Sequence, residues 1–362
     1  MPPAQFRFDP LAFQNKIDYL KIVGNCRYSF ARAVDEVFID DKVNKGRAAG
    51  TIIIYDQDNC PIATFIGEIE RKKFGKLPCS LNVISAFFGG LYISDKAWAQ
   101  NEKLKNFLLL FVFPSYYAKK LKVDYIHLML PPKVTIEYPE MISGLLPFYR
   151  CFVEVNSLLF TKLNEDLLSS FKYNTRYEIK KGIDSLREGE VLRDTDDILD
   201  HISRLNNSQA SELKIQPKSA DHFARIIRSQ HFHSLIAVKD NQPVSMVVYT
   251  YWNGIATFNF NASTQIGKKL FINKALLFLA MKESSDRGAK YFVLGDGKEF
   301  FGNMINVAFF KKTFSTNEII NCQYIYPLSR IGHILVGIRQ FRKNKLIRKT
   351  LIDDSNNRVI NI

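Results

Sequence analysis

The chain is poor in the residues and patterns that would give it away. Its five cysteines, Cys26, Cys60, Cys79, Cys151 and Cys322, are widely spread, odd in number and never spaced as CxxC. That argues against a disulfide framework and a thiolate zinc site, and fits a reducing compartment. Long apolar runs are missing. The most hydrophobic stretch, Phe107–Phe113, is closed by Pro114, far short of the roughly 20 residues a bilayer-crossing helix needs. Met1–Pro10 carries neither the basic start nor the apolar core of a secretion signal, so the expected location is the cytoplasm. GxSxG, HExxH and Walker P-loop patterns are absent, which removes the commonest hydrolase and nucleotidase routes. His231 and His233 would share a strand face, but no third ligand is in view. No metal site is expected, and both histidines are read as surface or strand-end residues.

What is present is a large hydrophobic fraction, 46% of 362 residues, and a net charge of +14. The first suffices for two cores of ordinary size. The second favours polyanionic partners such as nucleic acid, nucleotide diphosphates or anionic lipid, although basic residues also make ordinary solvated faces.

The chain contains an internal repeat. Thr51–Tyr55, a β-branched and aromatic run, leads through Asp58-Asn59-Cys60-Pro61 into Ile62–Ile66. Leu235–Val238 leads through Asp240-Asn241-Gln242-Pro243 into Val244–Tyr249. Asp and Asn favour tight turns because their short side chains bond nearby backbone and tolerate left-handed dihedrals, so both segments read as β-hairpins. Asn253-Gly254, before Ala256–Phe260, marks another hairpin in the second half. Downstream of each Asp-Asn turn come a helix and a strand. In the first half these are Lys103–Leu121, interrupted by Pro114, and Val123–Leu130. In the second, Ile272, Ala275, Leu276, Leu279 and Ala280 share a helical face, Arg287-Gly288 ends the helix, and Tyr291–Leu294 is a strand. Tyr149–Phe160 reads as a strand between the halves. A duplicated mixed α/β unit accounts for this order, with divisions at 1–160, 161–330 and 331–362.

Three basic segments are candidates for chemistry. Lys172, Arg176 and Lys180 recur at i, i+4 and i+8, placing three cations on one helical face as a phosphate grip or a solvated surface. Gly295-Asp296-Gly297-Lys298 follows the second-half strand; its glycines permit close backbone approach to a ligand, and Asp296 is positioned to hold an amine or accept a proton. Lys311, flanked by Phe309, Phe310 and Phe314, suits a phosphate or a developing oxyanion, or else is a lysine snorkelling from an apolar strand. The segment after Arg330 interleaves Ile331, Ile334, Leu335, Ile338 and Phe341 with Arg339, Arg342, Lys343 and Lys345, with no acid before Asp353. This is a basic amphipathic helix, suited to an anionic membrane surface, to nucleic acid, or to packing on the body of the protein.

At these residues the sequence resembles the Fem-type aminoacyltransferases and their acyl-CoA-using relatives. The resemblance rests on Tyr28-Ser29-Phe30, Phe88-Gly89-Gly90, Phe171–Gly182, Arg287–Asp296 and Phe310-Lys311-Lys312-Thr313-Phe314-Ser315, with Ser315 where that family usually has Gly. It implies two tandem acetyltransferase-like (GNAT-type) domains with mixed sheets, and transfer of an acyl or aminoacyl group to an amine. It implies no permanently bound cofactor, with acyl-CoA or aminoacyl-tRNA as co-substrate. The implied acceptor is an envelope glycan or peptidoglycan precursor, and tRNA and the inner-membrane surface are the further partners. By this resemblance Lys311, after Phe310, contacts phosphate or the transition state, Arg176 binds acceptor phosphates with Lys172 and Lys180, and Gly295, Gly297 and Lys298 line the site. The acyl-CoA loop of simple acetyltransferases is degenerate here, since Gln265–Leu270 has one glycine, and the long arm of larger Fem proteins has no room. The competing expectation is a non-catalytic module of the same fold that holds a glycan, nucleotide or RNA, or a membrane-surface scaffold.

Overall fold

A computed structural model describes residues 7–25, 39, 43–44, 50–73, 80–93, 120–129, 136, 152–193, 199–213, 216–296 and 305–338. The first half supplies β1 (Arg7–Pro10), α1 (Lys16–Asn25), β2 (Ile52–Tyr55), β3 (Pro61–Lys73), β4 (Ser80–Ile93), β5 (Tyr125–Met129) and β6 (Phe152–Lys162). The second begins with α2 (Tyr173–Leu186), β7 (Glu190–Arg193), α3 (Leu199–Leu213), α4 (Ala220–Ile227), β8 (Phe232–Lys239), β9 (Gln242–Trp252) and β10 (Ile255–Ser263). It continues with α5 (Gln265–Lys269), α6 (Ile272–Asp286), β11 (Tyr291–Asp296), α7 (Ile305–Phe314) and β12 (Asn317–Pro327). A further helix, α8, covers residues 330–338.

Both expected hairpins form, but their turns differ. Asp240 and Asn241 alone join β8 to β9, both at positive φ, the left-handed pair that a tight hairpin requires. Between β2 and β3 the connection is longer, and the Asp56 carboxylate accepts from the Asp58 and Cys60 N–H groups while only Asn59 is left-handed. Asn253-Gly254 also turns as expected, and α6 closes at Gly288, φ +88. The Lys103–Leu121 segment lies almost entirely outside the described residues.

The two halves repeat one plan. Strands β1 to β5 are neighbours in order, three antiparallel pairings followed by a parallel one, and β7 to β11 repeat that sequence of pairings. The sixth strands are exchanged: β6 lies against β11 of the second half, and β12 against β5 of the first. Because β6 and β12 also pair antiparallel over nine positions, Asn317↔Phe160 to Ile325↔Phe152, the halves fuse into one 12-stranded sheet rather than two separate ones. Residue 160 therefore falls within the strand that leaves its own half.

In the second half the sheet is covered on both faces. Alternation along the strands sends Leu235, Val247, Tyr249, Ala256, Phe292 and Leu294 to one face, under α2, α6 and α7, and Ile236, Met246 and Val248 to the other, under α3 and α4. Burial of a strand on both faces explains a correction. His231 and His233 are not surface residues but only 7% and 8% exposed, packed against Trp252 and Tyr249. Helix α2 meets the start of α6 at Gly182, where a Cβ would stand 2.3 Å from the Phe271 carbonyl oxygen, so only glycine permits the approach. Helix α8 docks on the first half through Leu335 and Val336, which join Leu81, Val83 and Tyr125.

Candidate functional site

The site is a fork in the sheet. Strands β10 and β11 run parallel and pair over three positions only, Ile255↔Tyr291, Ala256↔Phe292 and Thr257↔Val293. Beyond these, β10 continues along β9 and β11 continues along β6. Each strand carries an irregularity just past the last shared pair: β10 shifts register against β9 between Phe258 and Phe260, and β11 against β6 between Val293 and Gly295. A bulge bends its strand and raises its twist. Two bulges on facing lips turn the strands apart, leaving backbone groups in the gap without a strand partner among the described residues.

The bulge at Asn259 also reverses the alternation. Phe258 joins the core under α6 and α7, whereas Phe260 joins the one under α3 and α4. Each ring carries a cation. The Lys311 ammonium lies 5.7 Å from the Phe258 centroid, and the Lys218 ammonium 5.5 Å from that of Phe260. A lysine over an aromatic face is attracted by the ring quadrupole, so the open length of β10 is flanked by positive charge on both faces of the sheet.

Lys311 stands on α7, a helix rather than an apolar strand, because Phe310 and Phe314 one turn apart anchor it: their rings are 5.5 Å apart, and Phe314 packs edge-on against Phe171. The Phe314 and Thr313 carbonyls accept from Thr161 and Thr175, tying α7 to β6 and α2. Ser315 reaches the Asn317 and Phe160 carbonyls at 2.6 and 3.3 Å. So held, the ammonium abuts Gly295, where a Cβ would be 3.3 Å from Nζ. Gly295 has φ +95, a conformation that side-chain-bearing residues rarely adopt. A cation at the mouth of a gap whose backbone groups have no strand partner among the described residues suits a carbonyl oxygen gaining charge.

The expected phosphate grip is arranged differently. Arg176 spends its guanidinium on the Ser169 and Phe171 carbonyls at 3.2 and 2.9 Å, closing the loop ahead of α2. Lys172, at the N-cap, and Lys180 are exposed. Arg176 and Lys311 nonetheless stand on adjoining helices on the same face. Asp296 ends β11 opposite Leu158; its side chain, Gly297 and Lys298 lie outside the described residues. Gln265–Lys269 is the short helix α5, whose capping Thr264 hydroxyl accepts from Gly267 N–H. Phe271, which follows, is left-handed at φ 57, strained for a bulky residue, with the Lys181 and Lys274 ammonium groups 5.6 and 5.9 Å from its ring. Among the described residues no cluster of His, Cys, Asp and Glu has the geometry of a metal site.

Sequence reasoning did not single out Thr257, Asn259, Lys218 or His222. The available signal was Asn259, a residue depleted in strands, between two phenylalanines in an otherwise strand-like run. Lys218 is exposed over the residue as a whole, but its ammonium is crowded between Phe260 and the His222 Nε2, 3.3 Å away, and this dehydration pulls its pKa down. Burial first, then the Lys218 charge, pulls His222 down to about 4, so at neutral pH its uncharged ring accepts from the lysine.

No family model and no curated protein matches the sequence. Solved structures do match. FemX is similar over 89% of this chain and 97% of its own, with TM-score 0.59 at 13% identity. The C-terminal domain of a candidate lysylphosphatidylglycerol synthetase from Agrobacterium fabrum is similar over 90% and 96%, with TM-score 0.53 at 11% identity. A conserved protein of unknown function from Bacteroides thetaiotaomicron is similar over 90% and 100%, with TM-score 0.50 at 12% identity. At these identities the likeness is one of fold: the chain has the fold of FemX, a mixed α/β unit repeated twice, as the sequence resemblance implied.

Proposed function

We propose that the protein is an N-acyltransferase that works in the fork between β10 and β11. It moves an acyl or aminoacyl group from acyl-CoA or aminoacyl-tRNA to an amine of a cell-envelope glycan or peptidoglycan precursor. The observation that carries the reading is the Lys311 ammonium seated against Gly295 at the opening of two parallel strands. In this reading a neutral amine attacks the acyl carbon. The carbonyl oxygen takes on negative charge, which Lys311 and the open backbone N–H groups stabilise. Collapse breaks the bond to the thiol or tRNA oxygen, and the amine gives up its proton to solvent, to Asp296 or to the leaving group, so the C–N bond replaces the C–S or C–O bond. Lys172, Lys180, Lys298 and Gly297 would line the approach of the anionic substrates, with Arg176 positioning the loop that carries Lys172. The likeness to FemX and to a lysylphosphatidylglycerol synthetase domain supports envelope acceptors and a charged-tRNA donor.

One surface favours peripheral membrane contact as well. Ile331, Ile334 and Ile338, at i, i+3 and i+7 of α8, are 55%, 63% and 39% exposed, beside the buried Leu335 and Val336. A helix whose apolar stripe extends beyond its buried contact, followed in sequence by the basic segment 339–349, suits an interfacial position on anionic lipid. No helix among the described residues is long and apolar enough to cross a membrane. The test of the enzyme reading is mass spectrometry of mixtures of the protein with acyl-CoA or charged tRNA and an amine acceptor. Product that disappears in Lys311→Ala is expected. No product from any donor, together with tight ligand binding, would leave a binding module.

A further inference from the structure

The fork has a second polar lining that the proposed chemistry leaves unused. Thr257 is the last residue of β10 to pair with β11 and is only 6% exposed, and its hydroxyl has no hydrogen-bond partner among the described residues. It shares its face with Ile255 and Val293, the face opposite Lys311. Beside it, the Asn259 amide donates to the Thr250 hydroxyl at 3.3 Å and to the Thr257 carbonyl at 3.0 Å. This polar spot interrupts two apolar clusters, one of Ile255, Val293 and Phe160 and one of Phe260, Met246 and Val248. A buried hydroxyl in a strand ordinarily finds a partner, because leaving it unbonded is unfavourable. An orphaned one at the point where two strands part keeps its bonding capacity for a group that enters beside it.

We propose that Thr257 determines which acyl group the fork accepts, by bonding to a polar substituent on that group. The inference rests on the acyl-transfer reading. If the carbonyl oxygen is turned to Lys311 on one face, the acyl chain and the carrier atom both point away from it, and with the carrier leaving along the fork the chain is the substituent turned to the face where Thr257 stands. A plain hydrocarbon chain would leave the hydroxyl orphaned. An acyl group with a hydroxyl or amine beside its carbonyl satisfies it, and sites built to bond such a group reject the analogue that lacks it.

The test compares wild type, Thr257→Val and Thr257→Ser with propionyl and lactoyl groups, which differ by one hydroxyl, each presented on coenzyme A and on tRNA with hydroxylamine as the amine. Wild type should favour lactoyl by about tenfold or more in kcat/KM; Val, of the same shape, should bring the ratio close to one, and Ser should keep it. The Val variant should unfold without ligand at the wild-type temperature or slightly above. An unchanged ratio in the Val variant, or a drop of several degrees in its unfolding temperature, overturns the role of Thr257 while leaving acyl transfer standing. No product above the enzyme-free hydroxylamine reaction from either acyl group on either carrier overturns both.

Discussion

The sheet contains two parallel strand pairs at equivalent places, and among the described residues they pair over different lengths. In the first half every residue of β5, Tyr125 to Met129, pairs with β4. In the second half β11 pairs with β10 over its first three residues and then runs on without it. A joint closed along its described length is structure, and an open one is a place for a ligand. The closed pair lies beside Leu81, Val83 and Ile325 under α8; the open pair holds a glycine at φ +95 and a lysine on the neighbouring helix. Duplication has left one copy to carry the sheet and, by our reading, the other to carry the chemistry.

The comparison can be broken by mutation. Lys311→Ala should lower kcat/KM by about 100-fold or more, the scale of losing one oxyanion stabiliser, with an unfolding temperature within a degree or two of wild type; steady-state kinetics alongside calorimetry checks it. Ile126→Ala, in the closed pair and 5% exposed, should do the reverse, costing about 2–4 kcal/mol of stability in denaturant titration while leaving turnover of the folded protein unchanged. Equal activity losses from both would erase the distinction between the two joints.

Gly295→Ala should act on both scales. The left-handed backbone costs about 1 kcal/mol or more with a Cβ present, and the methyl would crowd the Lys311 ammonium, so activity should fall further than stability. The smallest effect is in the pH dependence of unfolding, where the halves again differ. His222 is held at about 4, below its ordinary value. The unfolded chain binds the proton more readily, so stability should decline as pH falls from about 6.5 towards 4, by roughly 1 kcal/mol after allowance for solvent screening; His222→Gln should flatten that slope. Tyr55, buried and bonded to Asp18, is pushed up to about 12. It stabilises the first half below pH 10 and loses that contribution as pH rises from 10 towards 12, which Tyr55→Phe should remove.

Much of the fold was legible. Asp240-Asn241 and Asn253-Gly254 are turns whose residue types demand one backbone conformation, and Ile272, Ala275, Leu276 and Ala280 repeat at helical spacing. The likeness of Phe310–Ser315 and Arg287–Asp296 to a known family marked the two segments that meet at Lys311 and Gly295. Less of the site could be read. Lys172, Arg176 and Lys180 looked equivalent at four-residue spacing, yet Arg176 turns back to two carbonyls ahead of its own helix. A carbonyl's need for a partner is invisible until the loop is folded. His231 and His233 do flank the start of β8, but their burial was not legible, because nothing local announces a strand covered on both faces.

By itself the sequence determined the repeated unit, its hairpins, its long amphipathic helices and the basic balance of the chain, because turn chemistry and hydrophobic period act between residues only a few positions apart. Tertiary structure alone decided that β6 and β12 change places, that β10 and β11 part after three pairs, and that the Thr257 hydroxyl is left without a partner among the described residues where they part. Those outcomes depend on which strand edges meet and where two bulges align, distances that no neighbouring residue encodes.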